Sequence, residues 1–304
     1  ILEYDEDALE NLVPVANTAR DMGGEDLRDF LVKQLNMWMQ WSNALYIKDI
    51  KDWKRCAALR TLKDFRGSKC YVGVDLSSGG DLTSIAIVIP YMVDGVKKYF
   101  VHTHSFIPAS RVDEHIKTDK VPYDVWISKG LVTVTETLGG IKTDYKYIIK
   151  YLEDLIKQND LKPQLVCYDP HNASAFLSDL EALGFDSVAI TQTAKELNDA
   201  TVDFRLEIKA GNVVIEGTEV GKGKVVPFDE LLTWSIANAK TISNSYGEIK
   251  IDKALDEDRI DPIDAIIDAW KAAMKEEYKP DTNEVVNEWL EMYEKYMGKG
   301  GEKE

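Results

Sequence analysis

The residues with the clearest chemical potential are Asp75, Asp169 and Asp261, with Asp264 one helical turn beyond the last. Asp75 closes the apolar run Cys70-Tyr-Val-Gly-Val, and Asp169 closes Gln164-Leu-Val-Cys-Tyr. A carboxylate at the end of a buried strand is costly unless it is paired or holds a cation. Asp261 opens Asp261-Pro-Ile-Asp264-Ala-Ile-Ile-Asp268-Ala-Trp, where apolar residues recur at helical spacing. If these acids meet, they repel one another and take up protons unless cations neutralise them. All-oxygen donors favour Mg²⁺ or Mn²⁺. Two such ions about 3.5–4 Å apart can clamp a phosphodiester, one activating water and the other stabilising the leaving oxygen.

Each acid also has a plainer reading. Asp75 could cap a turn, and Asp169 before Pro170 could be turn chemistry. Asp261 could be an N-cap with Pro262 at N1. Capping and metal binding are compatible, because a carboxylate has two oxygens to share. Asp264, at i+3, could reach the same cleft. Asp268, at i+7, shares the helix face but is expected to lie too far along it.

The elements that must position these acids read as an alternation of strands and helices. Residues 70–89 form a strand, a tight Ser77-Ser-Gly-Gly80 turn and a second strand, with Val72, Val74, Ile85, Ile87 and Ile89 suited to a buried sheet. Strands follow at 98–106, 131–135, 164–169 and 188–190, with a hairpin at 212–227 and a brief strand at 249–251. Helices are expected at 141–158, 172–183, 197–210, 228–239, 260–275 and 283–297. Ligand sites of α/β sheets gather at the carboxyl ends of strands, where Asp75 and Asp169 would be neighbours if their strands are adjacent. Leu27 to Trp41 and Ile47 to Leu59 read as two or three Trp-rich helices, an appendage packing on a core, with a linker to an absent upstream domain as the functional alternative. His102 and His104, at i and i+2, read as a surface-facing pair.

The 304-residue chain carries a net charge of −16. That excludes a free-standing nucleic-acid binder working by bulk electrostatics, though not an enzyme that meets DNA through metal ions and a local basic strip. Lys222 and Lys224, on the Gly-rich tip of the 212–227 hairpin, are candidates for such a strip. The tip fits no Walker A register and no helix follows it directly. Cys56, Cys70 and Cys167 form neither a zinc pattern nor an even disulfide set, and read as buried thiols of a reducing cytosol. The longest apolar runs are strand-sized, short of a membrane span. The sequence opens at Ile1 without an initiator Met and is expected to be a fragment or processed form.

Together, Tyr71-Val-Gly-Val-Asp-Leu-Ser-Ser-Gly-Gly-Asp-Leu-Thr83, Tyr168-Asp-Pro-His-Asn-Ala173 and Arg259-Ile-Asp-Pro-Ile-Asp-Ala-Ile-Ile-Asp-Ala269 resemble the C-terminal nuclease domain of tailed-bacteriophage terminase large subunits. Residues 28–56 and Thr233-Trp-Ser-Ile-Ala-Asn-Ala239 share that resemblance, which covers roughly residues 25–278. It implies an α/β, RNase H-like mixed sheet flanked by helices, preceded by a helical linker. The implied division is 1–66 as the tail of an absent ATPase domain, 67–297 as the nuclease domain and 298–304 as a disordered tail. It implies a metal-dependent endodeoxyribonuclease that cuts concatemeric viral DNA, with Asp75, Asp169 and Asp261 as the catalytic acids on two Mg²⁺ or Mn²⁺ ions. Asp264 would fit the extra acid of related resolvases. His171 stands where the family often has an aromatic residue.

The implied partners are double-stranded viral DNA, the portal protein, the small terminase subunit, the protein's own ATPase domain and further copies in a homo-oligomeric ring. The setting is the host cytoplasm, transiently at the procapsid portal, with no membrane. ATPase activity is not assignable to this stretch, which lacks Walker motifs. Two other readings stand beside this one. The first is an ATPase of the sugar kinase and actin type, whose fold also opens on an Asp and a Gly-rich hairpin. The second is a non-catalytic structural adaptor in which the acids only cap.

Overall fold

The computed structural model describes residues 8–22, 30, 31, 33–35, 45–77, 82–136, 140, 143–171, 173–253 and 258–277. In chain order these hold α1 (Ala8–Met22), α2 (Ile50–Lys54), β1 (Ala57–Ala58), β2 (Lys69–Asp75), β3 (Thr83–Val93) and β4 (Val96–Pro108). Next come α3 (Val112–Asp119), α4 (Tyr123–Ser128), β5 (Val132–Thr135), α5 (Tyr145–Asn159), β6 (Lys162–Tyr168), α6 (Ser174–Ala182) and β7 (Ser187–Ala189). The rest are α7 (Ala194–Ala210), β8 (Val213–Val220), β9 (Lys224–Pro227), α8 (Glu230–Asn238), β10 (Ala239–Ser243), β11 (Ile249–Lys253) and α9 (Asp261–Ala273).

Among the described residues nine strands share one sheet, in the order β1-β8-β4-β3-β2-β6-β7, with β5 added to β4 and β9 to β8. Strands β2, β3 and β4 run antiparallel, and β6 and β7 continue parallel to β2. This is the mixed sheet flanked by helices that the RNase H-like expectation describes.

The period-2 alternation of β2 explains why both faces are covered. Cys70, Val72 and Val74 join Ile85, Ile87 and Ile89 in a core under α5 and α6, with Ile148, Leu152, Phe176 and Leu180. Tyr71, with Ala86 and Val88 of β3, faces the opposite core, where α7 and α9 supply Phe204, Ile263, Ile266 and Trp270.

Several expectations need correcting. Of the helices expected over 47–59 only Ile50–Lys54 forms, and Ala57–Ala58 is instead a strand parallel to β8; the segment packs on the second core, as the appendage reading has it, with Tyr46, Trp53 and Cys56 buried there. His102 and His104 are not a surface pair: His102 is half-buried, its Nε2 3.4 Å from Tyr151 Oη. His104 is buried, stacked on Tyr151 at 4.0 Å and hydrogen-bonded to Thr133, and burial pushes both imidazoles well below their usual range. Ala239–Ser243, where no strand is expected, forms β10 and pairs with β11. The 78–81 turn, the Trp38–Trp41 stretch, the 283–297 helix and the 298–304 tail lie outside the described residues.

Candidate active site

The strand that carries Asp75 also decides how closely a helix can approach it. The alternation that points Tyr71 at α9 points Gly73 and Asp75 there too. A Cβ added to Gly73 would lie 1.8 Å from the Ala265 carbonyl oxygen and 2.8 Å from the Ala269 backbone nitrogen. Glycine on the strand and alanines at i and i+4 on the helix therefore allow backbone-to-backbone contact. The helix is apolar on its remaining faces, with Ile263, Ile266, Ile267 and Trp270 all buried. Its three acids fall at i, i+3 and i+7, a single stripe along one side.

Strand β6 supplies the next acid. It runs parallel to β2 with Val74 opposite Tyr168, so Asp75 and Asp169 stand one step further on at the same end of neighbouring strands. Asp169 also accepts a hydrogen bond from the backbone N–H of His171 at 3.0 Å, so it serves the turn as well.

These elements enclose a cavity of about 170 Å³ lined by Asp75, Asp169, Asp264, Asp268, Gln192 and Lys250, with Asp252, Ile251 and Ile260 completing the wall. Asp261 is not part of that lining, yet its charge is the largest acting on Asp75, ahead of those of Asp264, Asp268 and Asp169. Asp261 is the first residue of α9 and Ile260 the N-cap, so the capping reading of Asp261 is replaced. Asp268 is not too far along the helix. It is 1% exposed, lines the cavity, and its carboxylate accepts from Gln192 Nε2 at 3.0 and 3.3 Å. The sheet's end reaches this second turn because α9 lies against β2 instead of standing off it.

Burial and then mutual repulsion set the electrostatics. Burial first, then Asp261, Asp264 and Asp268, raise the Asp75 carboxyl well above its ordinary range. Burial, followed by Asp268 and Asp261, does the same to Asp264, against the Lys250 ammonium. Asp268 is pushed up to about 7, chiefly by burial, despite the Gln192 hydrogen bond. Lys250 Nζ donates to the Gln192 carbonyl at 3.3 Å and brings a positive charge into this acidic wall.

An all-carboxylate donor set short of positive charge suits a hard divalent cation. Among the described residues, no three His, Cys, Asp or Glu side chains converge tightly enough to hold an ion as they stand. Asp75, Asp169, Asp264 and Asp268 share one cavity without meeting at a single point.

Gln192 and Lys250 had no signal in the sequence: one lies between a strand and a helix, the other inside a short strand. Lys222 and Lys224 lie elsewhere, on the β8–β9 tip, both exposed, with Lys222 at φ +58° between Gly221 and Gly223. Strand β8 is parallel to β4, and β4 to β2, so that tip leaves the sheet at the end where Asp75 sits. Three strand steps separate β8 from β2, about 14 Å at ordinary spacing.

The family model described as "Terminase large subunit, endonuclease domain" matches residues 6–277. The chain is 29% identical over 195 residues to the terminase large subunit of Enterobacteria phage HK97, covering 64% of this chain and 35% of the relative. It is 22% identical over 216 residues to that of Lactococcus phage p2, covering 71% and 37%. The crystal structure of the HK97 bacteriophage large terminase superposes with a TM-score of 0.61 at 26% identity, over 74% of this chain and 43% of that one. The chain thus spans about a third of the length of the curated relatives it matches. With the family model covering most of its length, and the sheet and acidic cavity as described, the chain belongs to the terminase large subunit endonuclease-domain family.

Proposed function

We propose that this chain is a divalent-metal-dependent endodeoxyribonuclease that hydrolyses phosphodiester bonds of double-stranded viral DNA. The observation that carries the reading is the cavity where Asp75 and Asp169, at the ends of adjacent parallel strands, face Asp264 and Asp268 of α9. Asp75, Asp169 and Asp261 are the catalytic acids in this reading, with Asp264 and Asp268 completing the set of metal-holding carboxylates. Two Mg²⁺ or Mn²⁺ ions, when bound, would activate water and offset the charge of the phosphoryl group.

The chain's own residues do the rest. The β2 and β6 backbones hold Asp75 and Asp169 on a rigid edge, which limits their freedom to relax away from one another. Gln192 orients the Asp268 carboxylate by donating to both its oxygens. Lys250 offsets part of the negative field that would otherwise repel a phosphate. Lys222 and Lys224 contact the DNA backbone at the same end of the sheet.

In the whole protein, the reading places this domain beside its ATPase domain in a homo-oligomeric ring. That ring works with the small terminase subunit and the portal protein in the host cytoplasm. Among the described residues, no helix is long and apolar enough to cross a membrane. The sugar-kinase-like and adaptor readings gain no observation of their own.

Nicking of supercoiled plasmid tests the proposal. Wild-type chain with Mn²⁺ is expected to convert it to open-circular and linear forms, EDTA to stop this, and Asp75→Ala to abolish it with the far-UV spectrum unchanged. Undiminished cleavage by Asp75→Ala would remove this cavity from the mechanism.

A further inference from the structure

The helix that carries Asp261, Asp264 and Asp268 is entered through Asp258–Ile260, a segment outside regular structure. Its N-cap, Ile260, offers no side-chain cap. Something else must fix where this helix begins. Arg259, two residues before Asp261, extends its guanidinium to the last residue of α3. Its Nε donates to Asp119 Oδ2 at 3.1 Å and its Nη2 to Asp119 Oδ1 at 3.2 Å, the two-pronged geometry of a planar guanidinium on a carboxylate.

The pair is deeply buried: the Asp119 side chain is 0% exposed and that of Arg259 is 12%. Asp119 is also fully engaged elsewhere. It accepts from His115 Nδ1 at 3.0 Å, from Tyr123 Oη at 2.8 Å and from Thr118 Oγ1 at 2.8 Å. Burial alone would raise the Asp119 carboxyl; the hydrogen bonds from His115 and Arg259 outweigh it and hold the group below its usual range. Ile260, the residue between Arg259 and Asp261, lines the acidic cavity, so the cluster borders the candidate site.

A buried ion pair is a poor source of net stability, because desolvation of both charges offsets their attraction. It is a good source of geometry, since a five-bonded carboxylate tolerates only one placement of the guanidinium. We propose that Asp119 and Arg259 are positioning residues, a clasp from the α3–α4 segment that sets the start of α9 and so places Asp261 and Asp264 for metal binding. This rests on the nuclease reading above. Neither residue touches the reacting atoms. The clasp acts as a unit, so Arg259 contributes through its fork and not through its charge alone. Partners that orient metal ligands from behind are typically worth 10–100-fold in metal affinity.

The test uses the whole chain with Arg259→Lys, Arg259→Gln, Asp119→Asn and the double variant Asp119→Asn/Arg259→Gln. Two quantities are measured: apparent Mn²⁺ affinity from the Mn²⁺-induced rise in Tm, and plasmid nicking at saturating Mn²⁺. Arg259→Lys keeps the charge but loses the fork. It is expected to bind Mn²⁺ at least about 10-fold more weakly, with its metal-free Tm near wild type. The double variant is expected to lose no more than the worse single one, the mark of two groups acting together.

Wild-type Mn²⁺ affinity in Arg259→Lys would overturn the clasp, as would losses in the double variant that simply add. A metal-free Tm that falls in step with the affinity would assign the pair a structural role only, and would also overturn it. If the wild-type chain shows neither a Mn²⁺ response nor nicking, the nuclease reading itself fails, an outcome distinct from all of these.

Discussion

Gly73 and Ala265 touch backbone to backbone: the position a Cβ would occupy on Gly73 lies 1.8 Å from the Ala265 carbonyl oxygen. No rotamer change can relieve that overlap, because the obstacle is main chain. Gly73→Ala must therefore push α9 off β2 and carry Asp264 and Asp268 away from Asp75. Overpacking of this kind costs about 1–3 kcal/mol or more. Urea unfolding is expected to show that loss, and the Mn²⁺-induced Tm rise to shrink beyond it. A variant as stable and as metal-responsive as wild type would mean that the contact does not set the site.

Asp268→Asn separates function from stability. The side chain keeps its shape, and the cavity loses a buried charge that repels Asp75 and Asp264. In EDTA the variant is expected to melt at a higher temperature than wild type. In Mn²⁺ it is expected to cleave at least about 10-fold more slowly, the order seen when groups that hold or orient a metal are lost. A lower Tm in EDTA would show that the repulsion is already offset within the protein.

The raised carboxyls predict a pH dependence with a definite sign. Asp268 is held at about 7 in the folded chain against an ordinary 3.8, and Asp75 and Asp264 are displaced the same way. Asp229, the N-cap of α8, is pushed up to about 6, chiefly by burial. Over this window these four carboxyls hold more protons in the folded state than in the unfolded one, so their contribution is fully present below pH about 4 and is lost as pH rises towards 7; they outnumber His102 and His104, whose lowered imidazoles act in the opposite sense. Tm measured in EDTA is thus expected to fall across that range. Saturating Mn²⁺ at pH 7 is expected to restore much of it by replacing protons with a cation. A Tm that rises with pH over this window in EDTA would contradict the assigned shifts.

Lys222 and Lys224 are open to a charge test, because neither is buried and the tip bears on no core cluster. Lys222→Glu/Lys224→Glu is expected to weaken duplex binding at low salt while leaving Tm unchanged. The deficit should shrink as salt rises, since each lost phosphate contact lowers the salt slope by about one. Fluorescence anisotropy on a labelled duplex in Ca²⁺ or EDTA reads this without cleavage. Equal affinities for both proteins at every salt concentration would leave the hairpin with no part in DNA contact.

The sequence by itself settled the local questions. The alternation of Val72, Val74, Ile85, Ile87 and Ile89 marks a buried hairpin, Asp75 and Asp169 close apolar strands, and Asp261 opens an amphipathic helix, because each of these follows from periodicity within a single segment. Tertiary structure decided what depends on distances between segments. Asp268 reaches the cavity only because Gly73 lets α9 lie flat on the sheet. Gln192 and Lys250 join the wall only because β11 and the β7–α7 connection converge there. Arg259 finds Asp119 140 positions away in the chain. His102 and His104 turned inward because Tyr151 of α5 covers them, and nothing in their own strand records that cover. Periodicity fixes which side of an element is apolar, but it carries no information on which neighbour will press against that side or how closely.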